Sequence, residues 1–251
     1  MSVVSETFEN NVVTITLNRP DKKNSMSLEL LQGLHAALLR AEERNPAIVV
    51  IRGAGATFCA GGDVIEFRDS TEPTVQVDAM VDALNKSIAK IRHMNTIVVA
   101  VVEGLAFGAG LSLSLACDLT VAEKGAIMNM AYRRIGLTPD GGGSIFLPTL
   151  VGMKRFNEFY LLCSNIDMQK AQEIGIVNFV YSQEELEARL KDLIDQLIAL
   201  PGETVGFMKG LVNATLFPML DTQLGRERRL VSEFSGKEEF QERLGVMFKR
   251  K

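Results

Sequence analysis

Residues 98–118, VVAVVEGLAFGAGLSLSLACD, constrain what this chain can fold into more than any other stretch. An apolar run ends at Glu103-Gly104, the small residues Gly108, Ala109 and Gly110 follow, and a second apolar segment closes on Cys117-Asp118. The pattern predicts a buried strand, a loop, and a helix that opens at the small residues. The first N–H groups of a helix have no intrahelical partner and lie at the positive end of its dipole, so they can hold a developing negative charge. Small residues let a ligand approach the backbone closely. Tight packing of a strand against a helix uses the same pattern, and this stretch alone leaves both readings open.

A second stretch, residues 57–64 (TFCAGGDV), follows the apolar run 48–51 and is again a strand leading into a loop of small residues. Two such loops can converge. With Leu17-Asn18-Arg19-Pro20 and the following Asn24, they make the chain resemble the enoyl-CoA hydratase/isomerase (crotonase) superfamily along nearly its whole length. The resemblance implies an α/β fold, a crotonase-like spiral of repeated β-β-α units with a helical C-terminal oligomerisation region. It divides the chain into an acyl-CoA-binding core, residues 1–190, and a trimerisation region, residues 191–251, with trimers pairing as hexamers.

The same resemblance assigns the site residue by residue. Ala60-Gly61-Gly62-Asp63 is similar to the family's A-G-x-D element, so the N–H groups of Gly62 and Ala109 would polarise the thioester carbonyl of an acyl-CoA. Lys23, Ala60, Gly61, Asp63, Val64, Gly110 and Tyr132 are the expected substrate and CoA contacts. CoA would enter as part of the substrate, with no separate cofactor.

Hydratases of the family carry two glutamates, and here those positions fall on Ser112 and Tyr132. Neither hydroxyl can act as a comparable base near pH 7. The carboxylate in range is Asp140, within Gly136-Leu137-Thr138-Pro139-Asp140-Gly141-Gly142-Gly143, which resembles the segment of the ring-enoyl-CoA isomerases of phenylacetate degradation. That likeness continues through Leu147-Pro148 and Val151-Gly152. The expected activity is therefore an enoyl-CoA isomerase in which Asp140 moves a proton on the acyl chain. Alternatives are an aryl-CoA dehalogenase or hydrolase with Asp140 as nucleophile, a hydratase, and an acyl-CoA-binding protein without turnover. Asp140 also suits a helix cap at Gly141; cap bonds would lower its pKa, whereas apolar burial would raise it.

Other candidates are weaker. His35 and His93 have no cysteine or carboxylate at metal spacing, so no metal is expected. Ser112 and Ser114 lie outside any G-x-S-x-G element. Tyr132, Arg133 and Arg134 can meet a substrate, although an exposed charged loop also accounts for them. Lys22, Lys23, Lys209 and residues 249–251 are cations able to meet CoA phosphates. Cys59, Cys117 and Cys163 are widely spaced and odd in number, as in reduced cytosolic proteins, and Cys59 fits a packing role.

Composition narrows the partners. In 251 residues, 47% hydrophobic content is enough for a sizeable core, and a net charge of -4 gives no footprint for nucleic acid. The longest apolar run, 97–102, falls far short of the roughly 20 residues a membrane span needs, and the polar N-terminus is unlike a signal peptide. A cytoplasmic protein without membrane contact is expected.

Along the chain, alternation around Asn10-Asn11 predicts a hairpin over residues 3–17. Ser27 precedes Leu30, Leu31, Leu34 and Leu38 at helical spacing, a capped amphipathic helix to about Arg44. A strand, glycine loop and helix unit then recurs, with strands at 47–52 and 97–102 and a helix near 75–92. Short strands at 119–122 and 126–128, an irregular segment at 132–140 and a helix from Gly141 follow. Beyond Lys154 the pattern is helical, near 184–200, 203–216, 221–234 and 237–249, interrupted by a strand at 176–181. Residues 70–75 are the expected mobile segment.

Overall fold

The computed structural model describes residues 2–249; Met1, Arg250 and Lys251 lie outside the described residues, and with them most of the basic C-terminal group. Strands β1 (Val4–Glu9) and β2 (Val12–Leu17) form the expected hairpin. Its turn residues Asn10 and Asn11 both adopt positive φ, 51° and 64°, the two-residue geometry that matches strand twist. Helix α1 (Leu28–Arg44) starts where Ser27 Oγ accepts from Leu30 N–H at 3.1 Å and ends at left-handed Asn45.

From β3 (Ile48–Gly53) the chain passes the first glycine loop, the short α2 (Val64–Asp69) and the long α3 (Pro73–His93) into β4 (Ile97–Val102). Then come β5 (Leu105–Phe107), α4 (Ala109–Ala116), β6 (Leu119–Glu123) and β7 (Ile127–Asn129). Helix α5 (Gly143–Leu162), β8 (Ile166–Asp167), α6 (Met168–Glu173) and β9 (Phe179–Tyr181) lead to the terminal helices α7 (Gln183–Ile198), α8 (Glu203–Leu216), α9 (Leu220–Ser235) and α10 (Glu238–Lys249).

The main sheet has the order β1-β2-β3-β4-β6-β9, parallel throughout except for the hairpin, and β5-β7-β8 form a second small sheet. Strands β3 and β4 read as continuous apolar runs because both their faces are covered. One face packs on α1 and α3 in the principal core; on the other, Ile48, Val50, Val99 and Val101 meet Leu186 and Leu190 of α7.

Several boundaries differ from the sequence reading. Ile176 and Val177 are buried but not in a strand: their N–H groups bond to Ala171 O, closing the end of α6. Helix α5 begins at Gly143 rather than Gly141 and is kinked at Gly152, whose φ is 78°. The segment 70–75 is partly helical, since Pro73 opens α3. Residue 190 lies inside α7, and α9 folds back on α3, where Arg228 Nε donates to Asp78 Oδ1 at 2.9 Å and Asn85 Nδ2 to Leu224 O at 3.0 Å.

Lys209 does not meet a phosphate. Lys209 is 2% exposed and its ammonium uses all three donors internally, on Ile91 O (2.9 Å), Thr96 O (3.0 Å) and Asp118 Oδ2 (2.7 Å), tying α8 to α3 and to the turns before β4 and β6. No described helix is long and apolar enough to cross a membrane.

Candidate active site

The two glycine loops lie against each other through backbone hydrogen bonds. Cys59 N–H donates to Leu105 O at 2.8 Å and Phe107 N–H returns to Cys59 O at 3.0 Å. The approach is close enough to dictate residue type. At Gly61, φ +98°, a Cβ would lie 2.9 Å from Phe107 O, and at Gly110 one would lie 2.6 Å from Cys59 O. Gly110 is thus a correction: it does not line the cavity as an expected substrate contact, because its bare Cα is taken up by packing on Cys59. Cys59 has the packing role; burial pushes its thiol up to about 12.

Between the loops opens a cavity of about 450 Å³, lined by both Gly62 and Ala109. Gly62 is fixed from both sides, by Met26 N–H on Gly61 O (2.8 Å) and Asp63 N–H on Met26 O (3.0 Å). Among the described residues neither the Gly62 nor the Ala109 N–H has a protein acceptor. Ala109 is the first residue of α4, a helix whose eight residues are all buried, so its positive end faces little competing water.

Asp140 lines the same cavity and is 8% exposed. Its Oδ1 accepts from Tyr132 Oη at 2.8 Å, and its Oδ2 has no partner among the described residues. Tyr132 Oη also lies 2.9 Å from Ser112 Oγ, whose hydroxyl reaches Asp140 O at 2.8 Å. Burial pushes the Asp140 carboxyl up to about 7; the Tyr132 hydrogen bond opposes this and the charge of Glu227 adds to it. Burial, then the charge of Asp140, raises Tyr132 well above the ordinary phenol range.

Two expectations change here. Tyr132 is not on an exposed loop; it is 5% exposed, and only its neighbours Arg133 and Arg134 face solvent. Nor does the Asp140 side chain cap a helix. Glu227 does: its carboxylate accepts from Gly142 N–H at 2.7 Å and Ser144 N–H at 2.9 Å, at the start of α5. Glu227 escaped the sequence reading because it lies 85 residues from Gly142. The signal was present, since a glutamate falls in the buried stripe Leu220, Leu224, Val231 of α9.

The remaining expected residues divide by position. Ala60, Gly61 and Val64 line the cavity, and exposed Lys23 stands at it while its carbonyl accepts from Ala60 N–H at 3.0 Å. Asp63 lines it too, but its carboxylate caps α2 through Ile65 N–H (3.0 Å) and pairs with Arg19 (2.8 Å). Asn24 is buried and accepts from Arg19 N–H at 2.8 Å, so the N-terminal turn braces the first loop. Apolar walls come from Phe67, Val77, Val81, Leu137, Val231 and Met247. His93 is exposed and His35 sits on α1, its Nδ1 buried without a partner. Among the described residues no three His, Cys, Asp or Glu gather as metal ligands. A larger hollow of about 900 Å³ between the end of α7 and the start of α8 holds one ionisable lining residue, Glu203, and none of these groups.

Residues 7–251 match the family described as enoyl-CoA hydratase/isomerase. The chain is 33% identical over 232 residues to 1,2-epoxyphenylacetyl-CoA isomerase of Escherichia coli, covering 91% of this chain and 88% of that one. It is 32% identical over 251 residues to 4-chlorobenzoyl coenzyme A dehalogenase-2 of an Arthrobacter species, covering 99% and 91%. An enoyl-CoA hydratase from Mycobacterium avium subsp. paratuberculosis superposes with a TM-score of 0.90 at 30% identity, over 100% of this chain and 97% of that one.

Proposed function

The chain belongs to the enoyl-CoA hydratase/isomerase family, and from that premise we propose that it is an enoyl-CoA isomerase working through a thioester enolate. Family members act on CoA thioesters, so CoA is part of the substrate. The observation that carries the finer reading is Asp140, a buried carboxyl with one oxygen held by Tyr132 and the other unpartnered, beside two backbone N–H groups without acceptors.

In this reading the thioester oxygen sits between Gly62 and Ala109 N–H. Asp140 Oδ2 takes a proton from one acyl carbon, the electron pair moves into the enolate, and the same oxygen returns the proton to a second carbon, shifting the double bond. Each N–H donor would contribute about 2.7–4 kcal/mol to holding the oxyanion. A carboxyl near pKa 7 suits a group that must accept and release a proton at neutral pH. Hydration by two carboxylates has less support: of the other carboxylates lining the cavity, Asp63 is committed to Arg19 and the α2 cap, and Asp21 is exposed. The identity to the Arthrobacter dehalogenase favours one second reading, in which Oδ2 attacks a halogen-bearing aryl carbon, the carbon–halogen bond breaks with loss of halide, and an aryl ester forms that water then hydrolyses. Double-bond migration in an enoyl-CoA, abolished in Asp140→Asn and without a trapped adduct, tests the first against the second.

The proposal extends to assembly. Phe207, Leu211 and Leu216 of α8 and Met153 and Leu162 of α5 are exposed, and further copies of the chain in a trimer or hexamer would cover them. Region 191–251 then serves both in assembly and, through Val231 and Met247, in closing the cavity.

A further inference from the structure

The contacts around Asp140 form a closed ring. Asp140 Oδ1 to Tyr132 Oη is 2.8 Å, Tyr132 Oη to Ser112 Oγ is 2.9 Å, and Ser112 Oγ to Asp140 O is 2.8 Å, so the path leaves the side chain of Asp140 and returns to its backbone. The three residues are 8%, 5% and 1% exposed respectively, so water does not compete for these contacts. Each end of the ring rests on something rigid. Ser112 is within the buried helix α4, its N–H on Gly108 O at 3.1 Å, one turn from Ala109, while Asp140 O also accepts Gly143 N–H at 2.9 Å.

Proton placement follows from this geometry. With the carboxylate ionised, Tyr132 O–H donates to Oδ1. A proton arriving on Oδ2 leaves that donation intact, whereas one arriving on Oδ1 would have to displace it. We propose that Tyr132 and Ser112 are positioning residues that hold Oδ1 of Asp140, leaving Oδ2 as the one oxygen that removes and returns the substrate proton. As the substrate C–H bond breaks, an O–H bond forms on Oδ2 and the electron pair passes to the thioester enolate; the reverse step at the second carbon restores the carboxylate. Two hydroxyl protons serve the three contacts: with Tyr132 O–H on Oδ1, the Ser112 proton goes either to Tyr132 Oη or to Asp140 O, and neither arrangement has to change in either step. One oxygen on a fixed carboxyl plane confines both transfers to one face of the acyl chain. The inference rests on the isomerase reading for its chemistry, but the clamp itself is measurable without turnover.

The titratable groups facing this carboxyl are Tyr132, Glu227 and Cys59. The test is a 13C titration of the free protein labelled at aspartate carboxyls, with the Asp140 resonance assigned by its loss in Asp140→Asn. In Tyr132→Phe the Asp140 midpoint should rise by about one pH unit or more, because a hydrogen bond to the charged form is gone. Ser112→Ala should move it the same way by less, and carries the test if Tyr132→Phe does not fold. Against an enoyl-CoA, Tyr132→Phe should lose about tenfold or more in kcat with KM within about twofold, and the acidic limb of kcat/KM should move with the resonance. An unchanged midpoint in a folded variant overturns the clamp even if the wild type isomerises. A raised midpoint in a protein that moves no double bond leaves the clamp standing and overturns the isomerase reading instead.

Discussion

Glu227 takes the Gly142 N–H at 2.7 Å from a different helix, and so occupies the helix start that Asp140 stands beside. That leaves the Asp140 side chain free for the cavity. Its backbone carbonyl alone joins the turn, through Gly143 N–H.

Glu227→Ala should cost about 2 kcal/mol or more of stability, since two N–H bonds to a buried carboxylate are lost together. Glu227→Gln keeps an acceptor and removes the charge, so it should lower the Asp140 midpoint because the charge of Glu227 raises it. Denaturant melts and the 13C titration read the two effects separately.

Asp140 itself should weaken the fold at high pH. Its folded pKa, about 7, lies above the ordinary aspartate value of 3.8, so folding takes up a proton between those values. The stability it contributes is complete below pH ~4 and is lost as pH rises to about 7. Asp140→Asn should therefore gain stability over the wild type more at pH 8 than at pH 5. Thermal melts at the two pH values check this; a gain no larger at pH 8 than at pH 5 would contradict it.

Gly110→Ala should separate the glycine loops, because the new Cβ would lie 2.6 Å from Cys59 O. The expected outcome is a loss of about tenfold or more in kcat/KM with a lowered Tm, although Gly110 touches no cavity. Activity and melting curves of that variant decide it.

Lys209→Met should cost about 2 kcal/mol or more, because Ile91 O, Thr96 O and Asp118 all lose a buried donor, although Arg92 still faces Asp118 at 3.4 Å. CoA affinity of the folded variant should be unchanged. A loss of affinity by calorimetry without loss of stability would return Lys209 to the phosphate role.

Most of the fold could be read from periodicity and turn residues: the Asn10-Asn11 hairpin, the Ser27 cap, the strand and loop repeats and the terminal helices. What could not be read were the features set by distant contacts. The run at Ile176-Val177 is apolar enough for a strand, but α6 takes its N–H groups. Of the site, the loops around Gly62 and Ala109 and the position of Asp140 were legible as a resemblance. The use of Ser112 and Tyr132 was not. As residue types they only exclude a base; their joint contact with Asp140 exists because α4 and the segment before α5 meet in space.

The most direct test of the central claim is the fate of substrate hydrogen in deuterated water, with wild type and Asp140→Asn compared on one enoyl-CoA. The account predicts double-bond migration in the wild type with exchange of carbon-bound hydrogen, no covalent adduct by mass spectrometry, and a loss of about 10²-fold or more in Asp140→Asn with CoA-ester binding retained. Full migration in Asp140→Asn, or an ester trapped on Asp140 of the wild type, would contradict it.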